Sequence, residues 1–217
     1  MKIVILLYKG FTAMDVIGAY EILCRLPKAE IQFAAKEKGI IESEYPAMKM
    51  MAGYNLDEIQ AADILLVPGS TYAFMEVAKD TEILGHIRHI DQATKWTISV
   101  CTGAIILGAA KLLVGKKATT HWAVMDRLPA LGAQPISERF VQDGKILTSA
   151  GVSAGMDMAL FLTTLLEGDN YAKMIQLVTE YYPEPPTGIR DLTSVPAHIR
   201  EKTREFLKTE ISKMSAS

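Results

Sequence analysis

Thr97-Ile98-Ser99-Val100-Cys101-Thr102-Gly103 is the stretch of this 217-residue chain whose reading decides the fold. An apolar, β-prone run stops at a cysteine and a glycine, and Ala104-Ile105-Ile106-Leu107-Gly108-Ala109-Ala110 then continues as a helix with small residues suited to lying close on a sheet. This is the pattern of a nucleophile elbow. At such a strand-to-helix turn the strained backbone projects one side chain beyond the sheet edge, and the first amides of the helix face whatever that side chain attacks. Cys101 is therefore a candidate nucleophile, and Gly103 permits the close backbone approach that the turn demands.

A cysteine at the end of a buried strand is also a common small core residue, so the surroundings must separate the two readings. The other cysteine, Cys24, falls on a helical pattern from Val16 to Leu26 and reads as core. Two cysteines so far apart and so differently placed give no disulfide framework, which points to a reducing, cytoplasmic compartment.

Composition fits one soluble α/β domain over residues 1–217, with 49% apolar and 22% charged residues. Its 23 basic and 25 acidic side chains leave a net charge of −2, which gives no electrostatic reason to expect a nucleic acid or a membrane surface as partner. The opening run Ile3-Val4-Ile5-Leu6-Leu7 is too short to span a bilayer and reads as a first buried strand.

Strand-length apolar runs recur at residues 2–8, 30–35, 63–67 and 97–100, with helical patterns at 14–25 and 80–93 between them. That alternation predicts a single-domain three-layer sandwich with a mostly parallel central sheet. Residues 40–52 break the pattern and suggest a hairpin excursion or an edge strand. In the second half, short strands are predicted at 117–120 and 145–148 and helices near 122–130, 153–167 and 170–180. Asp143-Gly144 signals a hairpin between Arg139-Phe140-Val141 and Ile146-Leu147. Beyond the proline cluster at 183–186, residues 197–213 read as a terminal amphipathic helix.

A thiol needs a partner that sets its protonation state. Asp15 follows the first strand, and the loops after parallel strands open at one carboxyl end, where Cys101 also lies. Its other reading is a carboxylate complementing a helix N-terminus. Pro68-Gly69-Ser70-Thr71 emerges at the same end, so the amides of Gly69 and Ser70 are expected to form an anion hole with that of Thr102. His121 follows another short strand and is a candidate hydrogen-bonding group at the site, although taken alone its context favours a structural histidine. His86 and His89 share a helix face, yet no third ligand follows at metal spacing. A phosphate loop ending at Gly115-Lys116 is rejected because Ala110 and Lys117 occupy the positions that would need glycine and a hydroxyl residue.

Taken together, Met14-Asp15-Val16-Ile17-Gly18, Val67-Pro68-Gly69, Ser99-Val100-Cys101-Thr102-Gly103, Ala118-Thr119-Thr120-His121-Trp122 and Ser149 to Asp157 resemble the ThiJ/PfpI superfamily, which has a class I glutamine amidotransferase-like fold. Within it, these motifs and the tail Glu180 to Pro186 are most similar to the isonitrile hydratases, which carry Asp after the first strand where many relatives carry Glu. The resemblance implies a cofactor-independent lyase without a metal, acting as a homodimer on a small-molecule substrate. Cys101 would form a thioimidate, Asp15 would handle the proton and Thr102 would orient the attacking groups. Similar motifs occur in glyoxalase- and deglycase-type enzymes, in redox or ligand sensors, and in the ligand domains of some transcription regulators, whose helix-turn-helix module finds no counterpart here. One departure stands out: Gly69-Ser70 replaces a pair of glycines and is followed by the bulky Tyr72 and Phe74, side chains expected either to narrow the pocket or to alter how an anion is cradled.

Overall fold

The structure, a computed structural model, describes residues 1–189 and 191–215. Its centre is a seven-stranded sheet built from β1 (Lys2–Leu6), β2 (Glu30–Ala35), β5 (Tyr54–Asn55), β6 (Ile64–Val67), β7 (Trp96–Val100), β10 (Phe140–Asp143) and β11 (Ile146–Ser149), in the order β10-β11-β7-β6-β1-β2-β5. All neighbours are parallel except β10 and β11, whose antiparallel pairing across Asp143-Gly144 is the expected hairpin. Gly144 adopts φ +63° at that turn, a conformation that costs glycine little. Two short ladders lie outside the sheet: β3 (Gly39–Glu42) with β4 (Lys49–Ala52), which is the excursion expected at 40–52, and β8 (Lys117–Ala118) with β9 (Gln134–Pro135).

β1 and β6 read as unbroken apolar runs because both faces of the sheet are covered, and Ile3 to Leu6 and Ile64 to Val67 are fully buried. Each such Leu or Ile side chain contributes about 1.5–3 kcal/mol relative to exposure. The chain moves from β1 to β2 in one direction along the sheet and from β6 to β7 in the other, so right-handed crossovers place their helices on opposite faces. α1 (Ala13–Leu23), α5 (Val152–Glu167) and α6 (Asp169–Val178) pack together on one face. The other face carries α2 (Phe74–Val77), α3 (Thr81–Asp91) and α4 (Gly103–Ala109). The direction of winding reverses between β1 and β6, and the carboxyl ends on either side of such a reversal form a ligand crevice.

The helix expected near 122–130 is instead two 3₁₀ turns, Trp122–Arg127 and Pro129–Leu131. Pro129 supplies no N–H to continue the first, and Gly132 at φ +83° ends the second. The terminal helix α7 runs from Ala197 to Ser215. Of the domain predicted over 1–217, Arg190, Ala216 and Ser217 lie outside the described residues. Among the described residues no helix is long and apolar enough to cross a membrane.

Candidate active site

The elbow is present, and its backbone shows why the sequence takes this form. β7 ends at Val100, and Cys101 has φ +58°, a left-handed conformation that costs a non-glycine residue on the order of 1–3 kcal/mol. Bonds to both sides of the turn hold it there: the Cys101 N–H donates to the Ser149 carbonyl at 3.0 Å, and the Thr120 hydroxyl donates to the Cys101 carbonyl at 2.9 Å. A Cβ on Gly103 would lie 2.2 Å from the Val67 carbonyl oxygen, and one on Gly69 would lie 2.5 Å from the Thr102 nitrogen. The two glycines let the turns after β6 and β7 come together backbone to backbone.

Asp15 arrives from the other side of the reversal. It is the third residue of α1 and only 1% exposed, and its Oδ2 accepts the Gly69 N–H at 3.0 Å. This carboxyl is therefore not a cap on its own helix. Its Oδ1 is buried with no hydrogen-bond partner among the described residues, and the Cys101 thiol is the neighbouring group to which the carboxyl couples.

Burial dominates the electrostatics of this pair. It pushes the Asp15 carboxyl from 3.8 up to about 7, assisted by the negative charge of Glu44 and opposed by the Gly69 amide. The Cys101 thiol is held well above its ordinary range, first by burial and then by the Asp15 charge, against which the Thr102 amide pulls the other way. A helix N-terminus alone would lower a thiol's pKa; here desolvation and the adjacent carboxylate prevail. The sulfur is thus held toward its protonated form while the neighbouring carboxyl titrates near neutrality.

The expected anion hole in the β6 turn is not open. The Gly69 amide is bound to Asp15, the Ser70 amide to Thr102 Oγ1 at 2.8 Å, and the Thr71 amide to Glu44 Oε2 at 2.9 Å. The Thr102 hydroxyl is committed as well, since it also donates to the Ser70 carbonyl at 2.8 Å, so the contribution of Thr102 to the sulfur is its amide. Ser70 turns its hydroxyl inward to accept the Phe74 N–H at 2.7 Å. His121 lines the cavity beside Cys101; its Nδ1 accepts the Ala123 N–H at 3.4 Å, which leaves the hydrogen of the neutral ring on Nε2, and burial lowers its pKa. His86 and His89 remain on α3, away from this cavity, and among the described residues no three side chains gather as a metal-ligand set.

Sequence reasoning missed Glu44, Tyr8 and Thr12. Glu44 comes from the β3–β4 excursion and ties two active-site turns together, accepting from the Thr12 hydroxyl at 3.0 Å as well as from Thr71. Tyr8, its hydroxyl donating to the Pro68 carbonyl at 3.0 Å, braces the β6 turn from below. Cys24, expected in the core, is half-buried at the C-terminal end of α1, with its sulfur against Arg25.

The cavity above Cys101 has a volume of about 780 Å³. Its walls come from Phe74 and Met75, from Trp122 to Arg127, and from Leu207 and Ile211 of α7, so the terminal helix helps to enclose the site. Tyr72 does not narrow it. That side chain lines a separate cavity of about 710 Å³ under the β3–β4 ladder, while Phe74 is the bulky residue facing the thiol's cavity.

Comparison with known proteins identifies the family of this fold. The chain is 33% identical to isonitrile hydratase from Pseudomonas putida over 223 aligned positions, covering 100% of this chain and 97% of that protein. A crystal structure of a ThiJ/PfpI family protein from Pseudomonas syringae superposes with a TM-score of 0.92 at 34% identity, over 99% of this chain and 89% of that one. A transcriptional regulator of the helix-turn-helix type from Pseudomonas aeruginosa is 28% identical over 55% of this chain and 36% of its own length. The DJ-1/PfpI family model matches residues 1–165, which hold the elbow, the acid and the β6 turn, and the chain is a member of the DJ-1/PfpI family.

Proposed function

We propose that this protein hydrates an isonitrile to the corresponding N-substituted formamide, with Cys101 as nucleophile and Asp15 as the group that moves the proton. The observation that carries the reading is the pairing of a buried Asp15, with one oxygen bonded to the Gly69 amide and the other unpartnered among the described residues, with the Cys101 thiol that lines the cavity. The full-length similarity to an isonitrile hydratase supports it. An isonitrile carbon needs a nucleophile and a proton, and the pair supplies both.

In this reading Asp15 takes the thiol proton as sulfur bonds to the terminal carbon, then passes it to that carbon, giving a thioimidate with a C–H bond. Water adds across the C=N bond, and the C–S bond breaks with return of the proton to sulfur. The sum is R–NC plus water giving R–NH–CHO. In this reading the Thr102 amide stabilises charge on sulfur, and His121, with its N–H on Nε2, would hold the attacking water or the substrate nitrogen. The same reading includes a homodimer in a reducing cytoplasm, to be checked by light scattering at micromolar protein.

The test is a substrate panel with purified protein: an alkyl isonitrile, methylglyoxal and a glycated thiol. Formamide production from the isonitrile alone supports hydration, and turnover of the glyoxal or the glycated thiol alone assigns the site to the other chemistry of the family.

A further inference from the structure

The rim of the Cys101 cavity is cationic in a chain whose net charge is −2. Arg127, Arg204 and Lys208 line it, and Asp126 is the one carboxylate among its lining residues. Among the described residues none of the three cations has a carboxylate partner, whereas Lys49 and Lys145 elsewhere are each held by one and Lys36 by two. Two of them are instead fixed on aromatic rings of the cavity wall, Arg127 over Phe74 at 5.7 Å and Arg204 over Trp122 at 5.3 Å. Stacking positions a guanidinium without neutralising it, so its N–H groups remain available to an anion. Lys208 follows Arg204 by one helical turn on α7 and presents its charge on the same side.

The cavity shared by the thiol and these cations is also lined by Met75, Val124, Met125, Leu207 and Ile211, which form an apolar sleeve beside the polar Thr12, Thr71 and His121. One cavity thus brings together the Cys101 thiol, an apolar sleeve and a set of unneutralised cations. We infer that the substrate is amphipathic: a reactive group at Cys101, a hydrocarbon body along the sleeve, and an anionic terminus, a carboxylate, held by Arg127, Arg204 and Lys208. Resting on the hydration reading, this names the substrate class as isonitriles that carry a carboxylate at the far end of an alkyl chain. Guanidinium binds a carboxylate through two parallel hydrogen bonds, a geometry that an ester or amide cannot match.

Two measurements separate this inference from the hydration reading. In the first, kcat/KM is compared for 6-isocyanohexanoate and its methyl ester, with an expected preference of about tenfold for the acid. In the second, hexanoate and hexanamide are compared as protectants of Cys101 against iodoacetamide, which requires no turnover; hexanoate should protect at about one tenth the concentration. Both preferences should shrink in high salt and collapse in the Arg127→Gln/Arg204→Gln double variant. Selective protection by hexanoate without hydration of either isonitrile upholds the anionic subsite and removes the hydration reading. Equal hydration of acid and ester with equal protection overturns the subsite and leaves hydration standing. A preference that survives both high salt and the double variant also overturns it, since these cations would not be its source.

Discussion

The Gly69 amide donates to Asp15 Oδ2 at 3.0 Å, and with the Thr12 N–H donating to the Gly69 carbonyl at 2.9 Å it joins the turn after β6 to the helix that follows β1. It fixes the carboxyl so that Oδ1, lacking a hydrogen-bond partner among the described residues, is the oxygen left to handle the thiol proton. A glycine is needed there because the Thr102 backbone lies too close for any side chain. The acid, the nucleophile and the two glycines therefore form one mechanical unit.

Asp15→Asn separates reactivity from catalysis. Removing the carboxylate lifts one cause of the raised Cys101 pKa, so iodoacetamide should label Cys101 faster at pH 8 to 9 in the variant than in the unaltered protein. Turnover of an isonitrile should fall by about 10²–10⁴-fold, because asparagine cannot carry the proton. Slower labelling, or turnover near normal, would reduce Asp15 to a structural role.

The same carboxyl makes stability depend on pH. Its folded pKa of about 7 lies above the unfolded 3.8, so between these values the folded state binds the extra proton. The sign follows from that: this contribution is present at low pH and is lost as pH rises toward 7, at about 1.4 kcal/mol per pH unit where steepest. Urea titrations at pH 5 and 7 should show this fall in the unaltered protein and a smaller one in Asp15→Asn.

For activity, the competent form of the pair holds one proton, and it appears as pH rises through about 7. kcat/KM should therefore climb across neutrality and hold steady to pH 9, since the second proton leaves well above the ordinary thiol range. Glu44→Gln removes a charge that raises Asp15 and should move the acid limb to lower pH. A limb unmoved by this change would show that another group sets it.

Gly103→Ala tests the elbow as a backbone device. A methyl group 2.2 Å from the Val67 carbonyl forces the turns after β6 and β7 apart and should cost at least about 2 kcal/mol in urea unfolding, with loss of turnover. Unchanged stability would mean that the turns do not meet as closely as described.

The parallel sheet, the hairpin at Asp143-Gly144 and the elbow were legible in the sequence because each depends on local pattern: apolar runs, a turn dipeptide, and a cysteine followed by glycine. Asp15 was legible through topology, as adjacent parallel strands open at the same end. Glu44 was not, since it sits in an irregular excursion and acts through Thr12 and Thr71, contacts set by tertiary packing alone. The raised thiol pKa was missed for a similar reason: helix position can be read locally, whereas desolvation depends on everything packed around the sulfur. α7 was legible as a helix, but its place over the cavity was not.

The central claim is tested most directly by incubating the purified protein with an alkyl isonitrile and following both products and enzyme. The account predicts stoichiometric conversion to the formamide, and, after acid quench, a Cys101 peptide heavier by the mass of one isonitrile, with both signals absent in Cys101→Ala. An isonitrile left unconsumed, or consumed equally by Cys101→Ala, would contradict it.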